Sequence, residues 1–299
     1  MMSLSHPLPE GFTELEVFAF GTALLIEALL GFVLCGLTLL TFLCVSDART
    51  PSHLLLLNLS LADLGVCSNA FIAAMSSFLR YWPYGPEGCQ LHGFHGFVTA
   101  LSSISTMAAI AWDRHSTHCC RARTRWSTAV FLCAWTWLSS AFWAAMPLLG
   151  WGRYDYEPLH SCCTLDYTQA DGNFISFVLP MAFFNFVVPV FIMVTSYNAV
   201  ERKFKRTGHK FRTSLPVLSL VLCWAPYAAL CLFACVHNPL VIPAKFRMIP
   251  AVLAKTSPTV NALLYSLGGG GQGFRGSAWT LLTGGAKQPQ TPEQHSKDK

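Results

Sequence analysis

The sequence has few charged residues for its length. Lys, Arg, Asp and Glu make up 12% of the 299 residues, whereas hydrophobic residues make up 53%. A soluble globular domain has about 25% charged residues, so this composition indicates a membrane protein. A large soluble protein with buried core helices is excluded by the number of long runs that contain almost no charge.

Seven apolar runs are long enough to cross a bilayer, which takes roughly 20 helical residues. They lie at about 17–44, 52–79, 87–113, 127–149, 173–198, 214–236 and 244–267. The polar connections between them are short, so the sequence predicts one domain over residues 1–299. Its fold class is an all-α membrane protein, a seven-transmembrane helix bundle, with residues 1–16 before the helices and a tail at 268–299 after them.

The sequence also lacks a recognisable cleavable signal peptide. The first sixteen residues contain no Lys or Arg, and the first apolar run is too long for the core of a signal peptide. We therefore expect the first helix to act as its own signal, with the N-terminus outside.

With that orientation, fifteen of the twenty Lys and Arg residues fall on the cytoplasmic side. Only Arg80, Arg153, Lys245 and Arg247 fall outside. The net charge of +5 is then explained by topology and by contact with anionic lipid headgroups, and it gives no reason to expect nucleic acid. Lys255 belongs to neither side.

Lys255 lies near the centre of the last apolar run, where a charged group costs at least about 2.5–3.5 kcal/mol. Three outcomes remain open: an ion pair, a neutral amine, or a covalent imine with a carbonyl ligand. A neutral buried amine is the nucleophile that forms such an imine. The structural alternative is an ion pair with an acid inside the membrane, such as Glu27 or Asp63.

The cysteines suggest one disulfide on the outer, oxidising side. Cys89 opens the third helix, and the adjacent Cys162 and Cys163 lie in the second outer loop, so Cys89 has two possible partners. The remaining cysteines lie mostly in apolar helices, where we expect them to pack as small apolar residues. We expect no metal site.

Short motifs in six helices occur in a fixed order and at matching spacing. They are Leu61-Ala62-Asp63-Leu64, Asp113-Arg114-His115, Trp137, Pro189 with Tyr197, Cys223-Trp224-Ala225-Pro226, and Asn261-Ala262-Leu263-Leu264-Tyr265. Each motif alone is weak, but together they are specific. Over nearly its whole length the chain resembles the rhodopsin-like G-protein-coupled receptors.

Lys255 lies six residues before Asn261, where opsins carry their retinal-binding lysine. Among opsins the chain resembles the retinal G-protein-coupled receptor group, close to retinochrome and peropsin. The runs that carry this resemblance are Arg49-Thr50-Pro51, Trp82-Pro83-Tyr84-Gly85, Gly93-Phe94, 96–101, 138–143, and the stretch from Gly150-Trp151 through Tyr167. The resemblance implies that all-trans-retinal is bound to Lys255 as a Schiff base.

The resemblance also implies roles for other residues. Glu157 matches an alternative counterion in the second outer loop, although it could be a solvated loop acid. His92 occupies the counterion position near the Schiff base, although it could be a polar residue satisfied by backbone groups. Trp224 and Tyr227 match pocket residues, and their alternative is aromatic packing. The family's loop spacing favours Cys163 as the partner of Cys89.

Asp113 and Arg114 match the residues that would contact a G protein, but the sequence departs from the signalling pattern elsewhere. The departures are Cys35, His115, Ala262, a short third inner loop and the glycine run at 268–271.

The leading functional prediction is a light-driven photoisomerase that converts all-trans-retinal to 11-cis-retinal. Because light supplies the energy, no conventional catalytic residue is needed. The alternative is a photoreceptor that signals to a heterotrimeric G protein, and a third, a non-retinal receptor with a structural lysine, fits less well. Expected partners are retinal, the bilayer, and either a G protein or retinoid-handling proteins.

Overall fold

The structure is a computed structural model that describes residue 8 and residues 11–44, 50–206 and 214–267. The predicted tail at 268–299 and several of the predicted cytoplasmic basic residues, such as Arg49, lie outside the described residues. The described helices form a bundle. They are α1 (Glu14–Cys44), α2 (Pro51–Leu79), α3 (Gly85–Cys119), α4 (Trp126–Ala145), α5 (Gly172–Arg206), α6 (Ser214–Ala234) and α7, whose three segments are Ala244–Lys255, Ser257–Asn261 and Ala262–Leu267.

Within the described ranges, α1 to α6 are long and apolar enough to cross a membrane. The last helix, α7, is divided because Thr256 ends its first segment and Pro258 begins the next turn. Proline has no backbone N–H to continue the helical hydrogen bonds. The division falls directly after Lys255, so the lysine lies at a helix end inside the bundle.

Side-chain caps and short turns explain where several helices begin and end. The Thr50 side chain accepts a hydrogen bond from the His53 N–H, and Pro51 occupies the first position of α2. Asp171 caps α5 in the same way by accepting from the Phe174 N–H. At its other end, α2 stops at Arg80, whose φ of 65° is left-handed.

Two helices are longer than the sequence predicts. The third helix was expected to end at residue 113 but continues to Cys119, and α5 continues from the predicted 198 to Arg206. These extensions are polar or basic, so apolar length alone does not reveal them. Inside α5, residues Phe183–Val187 form a π-helical turn, which follows Pro180.

A short ribbon of two antiparallel strands lies between α4 and α5. Strand β1 (Tyr154–Tyr156) pairs with β2 (Cys163–Leu165), with Tyr156 opposite Cys163. A disulfide joins Cys163 to Cys89 at the start of α3, with a Cα–Cα distance of 5.3 Å. The ribbon, which the sequence did not predict, is therefore held against α3.

The helices approach closely where small residues face one another, and they expose large apolar side chains outward. A Cβ added to Gly31 of α1 would lie 2.3 Å from the Cys67 sulfur of α2, so only glycine fits that contact. Outward-facing apolar residues include Leu15, Val33 and Phe191. An apolar exterior around a core with buried polar groups is the arrangement that a bilayer requires.

Candidate ligand-binding site

Lys255 faces a cavity inside the bundle. This cavity has a volume of about 70 Å³, and its wall also contains Glu157, Trp224 and Tyr227. These residues come from three different parts of the chain: α7, the turn after β1, and α6. The fold thus gathers four of the predicted site residues around one space.

The Lys255 amine has no acidic partner in contact. In the part of the chain that the structure describes, no carboxylate oxygen lies within 4.0 Å of it. Asp63, one structural alternative, accepts a hydrogen bond from Ser103 at 2.7 Å and another from Asn261 at 3.1 Å. Glu27, the other alternative, has a buried Oε2 atom that has no hydrogen-bond partner among the residues the structure describes. The lysine is therefore near acids but not paired with one.

Glu157 is buried, with 4% of its surface exposed. Its backbone N–H donates to the Cys162 carbonyl oxygen at 2.9 Å, which continues the ribbon by one more pair. Its carboxylate accepts a hydrogen bond from the Cys162 thiol, also at 2.9 Å. Glu157 is thus a buried acid in the cavity wall rather than a solvated loop acid.

His92 lies on α3 beside the disulfide. Its Nε2 atom is 3.3 Å from the Asn69 carbonyl oxygen, and its Nδ1 atom is 3.1 Å from the carbonyl oxygen and 3.3 Å from the amide nitrogen of Cys163. The Nε2 atom can donate to the Asn69 carbonyl, and the Nδ1 atom can either donate to the Cys163 carbonyl or accept from the Cys163 N–H, depending on the tautomer. Its ring also contacts the edge of Trp82, at a centroid distance of 5.0 Å. Backbone groups therefore occupy both nitrogens.

An apolar cavity of about 60 Å³ continues the space away from Lys255, toward α5. The two cavities share Phe97, Ala100, Trp224 and Tyr227 in their walls. Farther from the lysine most of the lining residues are apolar, such as Ile104, and Asn185 is a polar exception. The combined space has the Lys255 amine at one end and a mainly apolar lining at the other.

Hydrogen bonds hold the two aromatic residues of the shared wall. The Trp224 indole N–H donates to the Ser257 hydroxyl at 3.2 Å, which links α6 to α7 just beyond Lys255. The Tyr227 hydroxyl is hydrogen-bonded to the Thr164 hydroxyl of β2 at 2.5 Å. Both rings are therefore fixed by polar contacts in addition to packing.

The chemistry of this space fits retinal, but the two cavities together are too small to hold a molecule of that size. An aldehyde with a long apolar chain matches a primary amine at the end of an apolar cavity. Sites for drug-sized ligands measure about 300–1,000 Å³, whereas the two cavities together are well below that range. Side chains in the shared wall must therefore move when a ligand of this length binds.

The C-terminal ends of α3, α5 and α7 meet at Arg114. Its guanidinium donates to the Tyr197 hydroxyl at 3.3 Å and lies 5.2 Å from the centroid of the Tyr265 ring. Asp113 instead accepts a hydrogen bond from Thr124. The two predicted G-protein contact residues thus point to different neighbours, and Arg114 is packed against tyrosines of two other helices.

Two residues of the cavity wall were not singled out by the sequence, and a third site residue, Cys162, was considered only as a possible disulfide partner of Cys89. Thr164 and Asn69 contribute polar groups to the cavity wall, and Cys162 contacts Glu157. The direction of the Cys162 side chain could have been predicted from the alternation of side chains along a strand. If Cys163 faces Cys89, its neighbour must face the opposite side of the ribbon.

Comparison with known proteins agrees with this fold. The model of the 7 transmembrane receptor (rhodopsin family) matches residues 35–265. The chain belongs to the rhodopsin family of seven-transmembrane receptors and is a multi-pass membrane protein, which confirms the predicted fold class.

Two curated relatives are similar over most of their length. The chain is 54% identical over 267 residues to the RPE-retinal G protein-coupled receptor of Mus musculus, covering 89% of this chain and 92% of that protein. It is 56% identical over 268 residues to the protein of the same name from Bos taurus, with the same coverage. The resemblance to this group of opsins is therefore confirmed.

A solved structure supports the fold independently. Squid rhodopsin superimposes with a TM-score of 0.81, covering 95% of this chain and 92% of its own, at 24% sequence identity. At that identity the similarity concerns the arrangement of the helices.

Proposed function

We propose that this protein is a retinal-binding opsin that converts all-trans-retinal to 11-cis-retinal in light. The observation that carries the proposal is the Lys255 amine, which faces an internal cavity and has no carboxylate in contact in the described structure. A lysine inside a membrane marks a functional site. The similarity to proteins named for retinal supports the choice of ligand.

Retinal bound to Lys255 as a Schiff base supplies the absorption of light and the double bond that rotates. The protein residues position and enclose it. Lys255 fixes one end of the retinal, and Glu157 places a negative charge in the same wall. Trp224 and Tyr227 form the wall beside the retinal's apolar chain. The shape that the cavity takes once its wall has moved to admit the ligand selects which isomer fits before and after illumination.

The orientation of the chain follows from the same proposal. We place the N-terminus and the β1–β2 ribbon outside the cell or in a lumen, where an oxidising compartment allows the Cys89–Cys163 disulfide. The inner ends of α3 and α5, which include Arg114 and the basic end of α5, then face the cytoplasm.

A second candidate function is signalling to a G protein. The observation in its favour is the position of Arg114, which bonds Tyr197 of α5 and packs on Tyr265 of α7 at the inner end of the bundle. That arrangement couples three helices at the surface that would face a G protein. Ala262 and His115, which depart from the signalling motifs, count against it.

One experiment separates the two functions. Purified protein is loaded with all-trans-retinal and illuminated, the retinal is extracted for isomer analysis, and nucleotide exchange on added G proteins is measured in parallel. The proposal predicts 11-cis-retinal as the main photoproduct, in wild type but not in Lys255→Ala or in the dark. Nucleotide exchange without 11-cis-retinal would instead establish the signalling function.

A further inference from the structure

Cys162 lies between the ribbon and the helices, on the opposite face from the disulfide. Glu157 and Cys162 form the pair that follows Tyr156 and Cys163 in the ribbon register. Because side chains alternate along a strand, Cys163 faces Cys89 and Cys162 faces the other way. Cys162 is 1% exposed and packs among Leu24 of α1 and Ala73 and Ala74 of α2.

Two hydrogen bonds join Cys162 to Glu157. The Glu157 N–H donates to the Cys162 carbonyl oxygen, and the Cys162 thiol donates to Glu157 Oε2, both at 2.9 Å. The first bond fixes the backbone, whereas the second fixes the carboxylate itself. A carboxylate on a buried side chain needs such donors because burial without them is costly.

The thiol is suited to donate this bond. Burial, together with the negative charge of Glu157, raises the pKa of the Cys162 thiol well above its ordinary value. The sulfur therefore keeps its proton at neutral pH and remains a donor. The other ionisable groups in electrostatic range of Glu157 are Tyr167, Tyr227 and Lys255.

We propose that Cys162 is a positioning residue that holds the Glu157 carboxylate in the wall of the Lys255 cavity. This inference rests on the proposed function, because the position of Glu157 matters for a positive charge at Lys255. It gives the second of two adjacent cysteines a role distinct from that of Cys163. The disulfide fastens the ribbon, and the free thiol directs the acid that the ribbon carries.

The first part of the test uses the protein without retinal. A hydrogen bond to a carboxylate lowers the infrared S–H stretching frequency, and the Cys162 band is identified by subtracting the spectrum of Cys162→Ala. Because an amide is a weaker acceptor than a carboxylate, Glu157→Gln should move this band to higher frequency. The band of Cys67, an equally buried cysteine of α2, identified in the same way with Cys67→Ala, should not move. A Cys162 band unchanged by Glu157→Gln overturns the proposal.

The second part uses protein loaded with all-trans-retinal in the dark. Without its thiol donor, the Glu157 carboxylate is no longer held in the cavity wall. It therefore stabilises a positive charge at Lys255 less well. Cys162→Ala should shift the pH midpoint of the visible absorption band by about one unit to lower pH, which is tenfold in the equilibrium. Cys162→Ser, which keeps a donor, should recover most of the shift, and Cys67→Ala should leave the midpoint in place.

The outcomes separate this proposal from the proposed function. If Cys162→Ala titrates as wild type does, or if Cys67→Ala shifts equally, the positioning role is refuted. If wild-type protein takes up no retinal, the proposed function fails, and the infrared result still decides whether the thiol holds Glu157.

Discussion

The imidazole of His92 is bound to the backbone of Cys163, with Nδ1 3.1 Å from its carbonyl oxygen and 3.3 Å from its amide nitrogen. The residue that stands at the usual counterion position is therefore part of the contact between α3 and the ribbon. It lies beside the disulfide that joins the same two elements. This leaves Glu157, which the ribbon contributes, as the acidic residue in the cavity wall next to Lys255.

His92→Glu should increase the visible absorption of the protein and lower its thermal stability. A carboxylate near the cationic Schiff base favours its protonated, visible-absorbing form, so His92→Glu should increase the visible fraction at neutral pH. The same carboxylate faces the carbonyl oxygens of Asn69 and Cys163, which cannot donate to it, and leaving a buried polar group unsatisfied costs about 1–3 kcal/mol. We expect a larger visible band together with a lower thermal inactivation midpoint. A smaller visible band would contradict the electrostatic argument.

Glu157→Gln should enlarge the ultraviolet-absorbing fraction. On the proposed function, the visible form carries a positive charge, and the Glu157 carboxylate in the same cavity wall stabilises it. Removing that charge moves the titration midpoint to lower pH, so at a fixed neutral pH less of the visible form remains. In wild type we expect the visible fraction to fall as pH rises. Absorption spectra recorded between about pH 5 and 9 measure both trends, and a wild-type spectrum constant over that range rules out titration near neutrality.

Lys255→Ala should abolish covalent binding of retinal. Borohydride reduction of loaded wild-type protein should attach the chromophore to the peptide that contains Lys255, and mass spectrometry locates it. Lys245→Ala is the matched control, because Lys245 is on the same helix but forms an ion pair with Glu16 at 2.6 Å. Wild-type labelling of Lys255→Ala would refute the assignment of the lysine.

Ala100→Leu should block the passage between the two cavities. Ala100 lies in the wall that they share, and three added carbon atoms would fill a space that is already small. We expect retinal uptake to fall at least about fivefold, which is the change that the lower end of an overpacking cost of about 1–3 kcal/mol produces. Ala134→Leu adds the same atoms on an exposed face of α4 and should load normally. Equal uptake by both variants would show that retinal does not occupy this passage.

Breaking the disulfide should destabilise the ribbon and the site together. The bond joins residues 74 positions apart, and loss of a native disulfide costs roughly 2–5 kcal/mol. We expect Cys163→Ala to lower the thermal inactivation midpoint and the yield of retinal-loaded protein, whereas Cys120→Ala, at an exposed position, should do neither. Non-reducing peptide mapping should recover Cys89 with Cys163. Recovery of Cys89 with Cys162 would exchange the roles of the two adjacent cysteines.

The helices and the central lysine could be predicted because each leaves a local pattern, whereas the choice of Cys163 over Cys162 as the disulfide partner rested on the family resemblance. Apolar length reveals the spans, and Lys255 stands out because charge is rare in such a run. The polar ends of α3 and α5 were missed for the same reason, since they continue as helix after the apolar pattern stops.

The rest of the site depends on contacts between distant residues. The sequence assigns Glu157 to a loop, where an acid is usually solvated, and only the ribbon register turns it inward beside Cys162. The contacts of His92 depend on how the ribbon meets α3, which no spacing in either segment fixes. The π-helical turn of α5 and the division of α7 likewise reflect packing around prolines in a particular bundle.

The ribbon forms part of the cavity wall, through Glu157, Cys163 and Thr164, and the disulfide fastens it there. A ligand that is almost insoluble in water would not enter from the aqueous phase, so the cavity needs no opening on the side of the ribbon. On the proposed function, loading and release take place sideways through the hydrocarbon, between helices. The rate of loading then depends on the number of retinoid molecules per unit area of the surrounding bilayer. The volume of the aqueous compartment does not affect it.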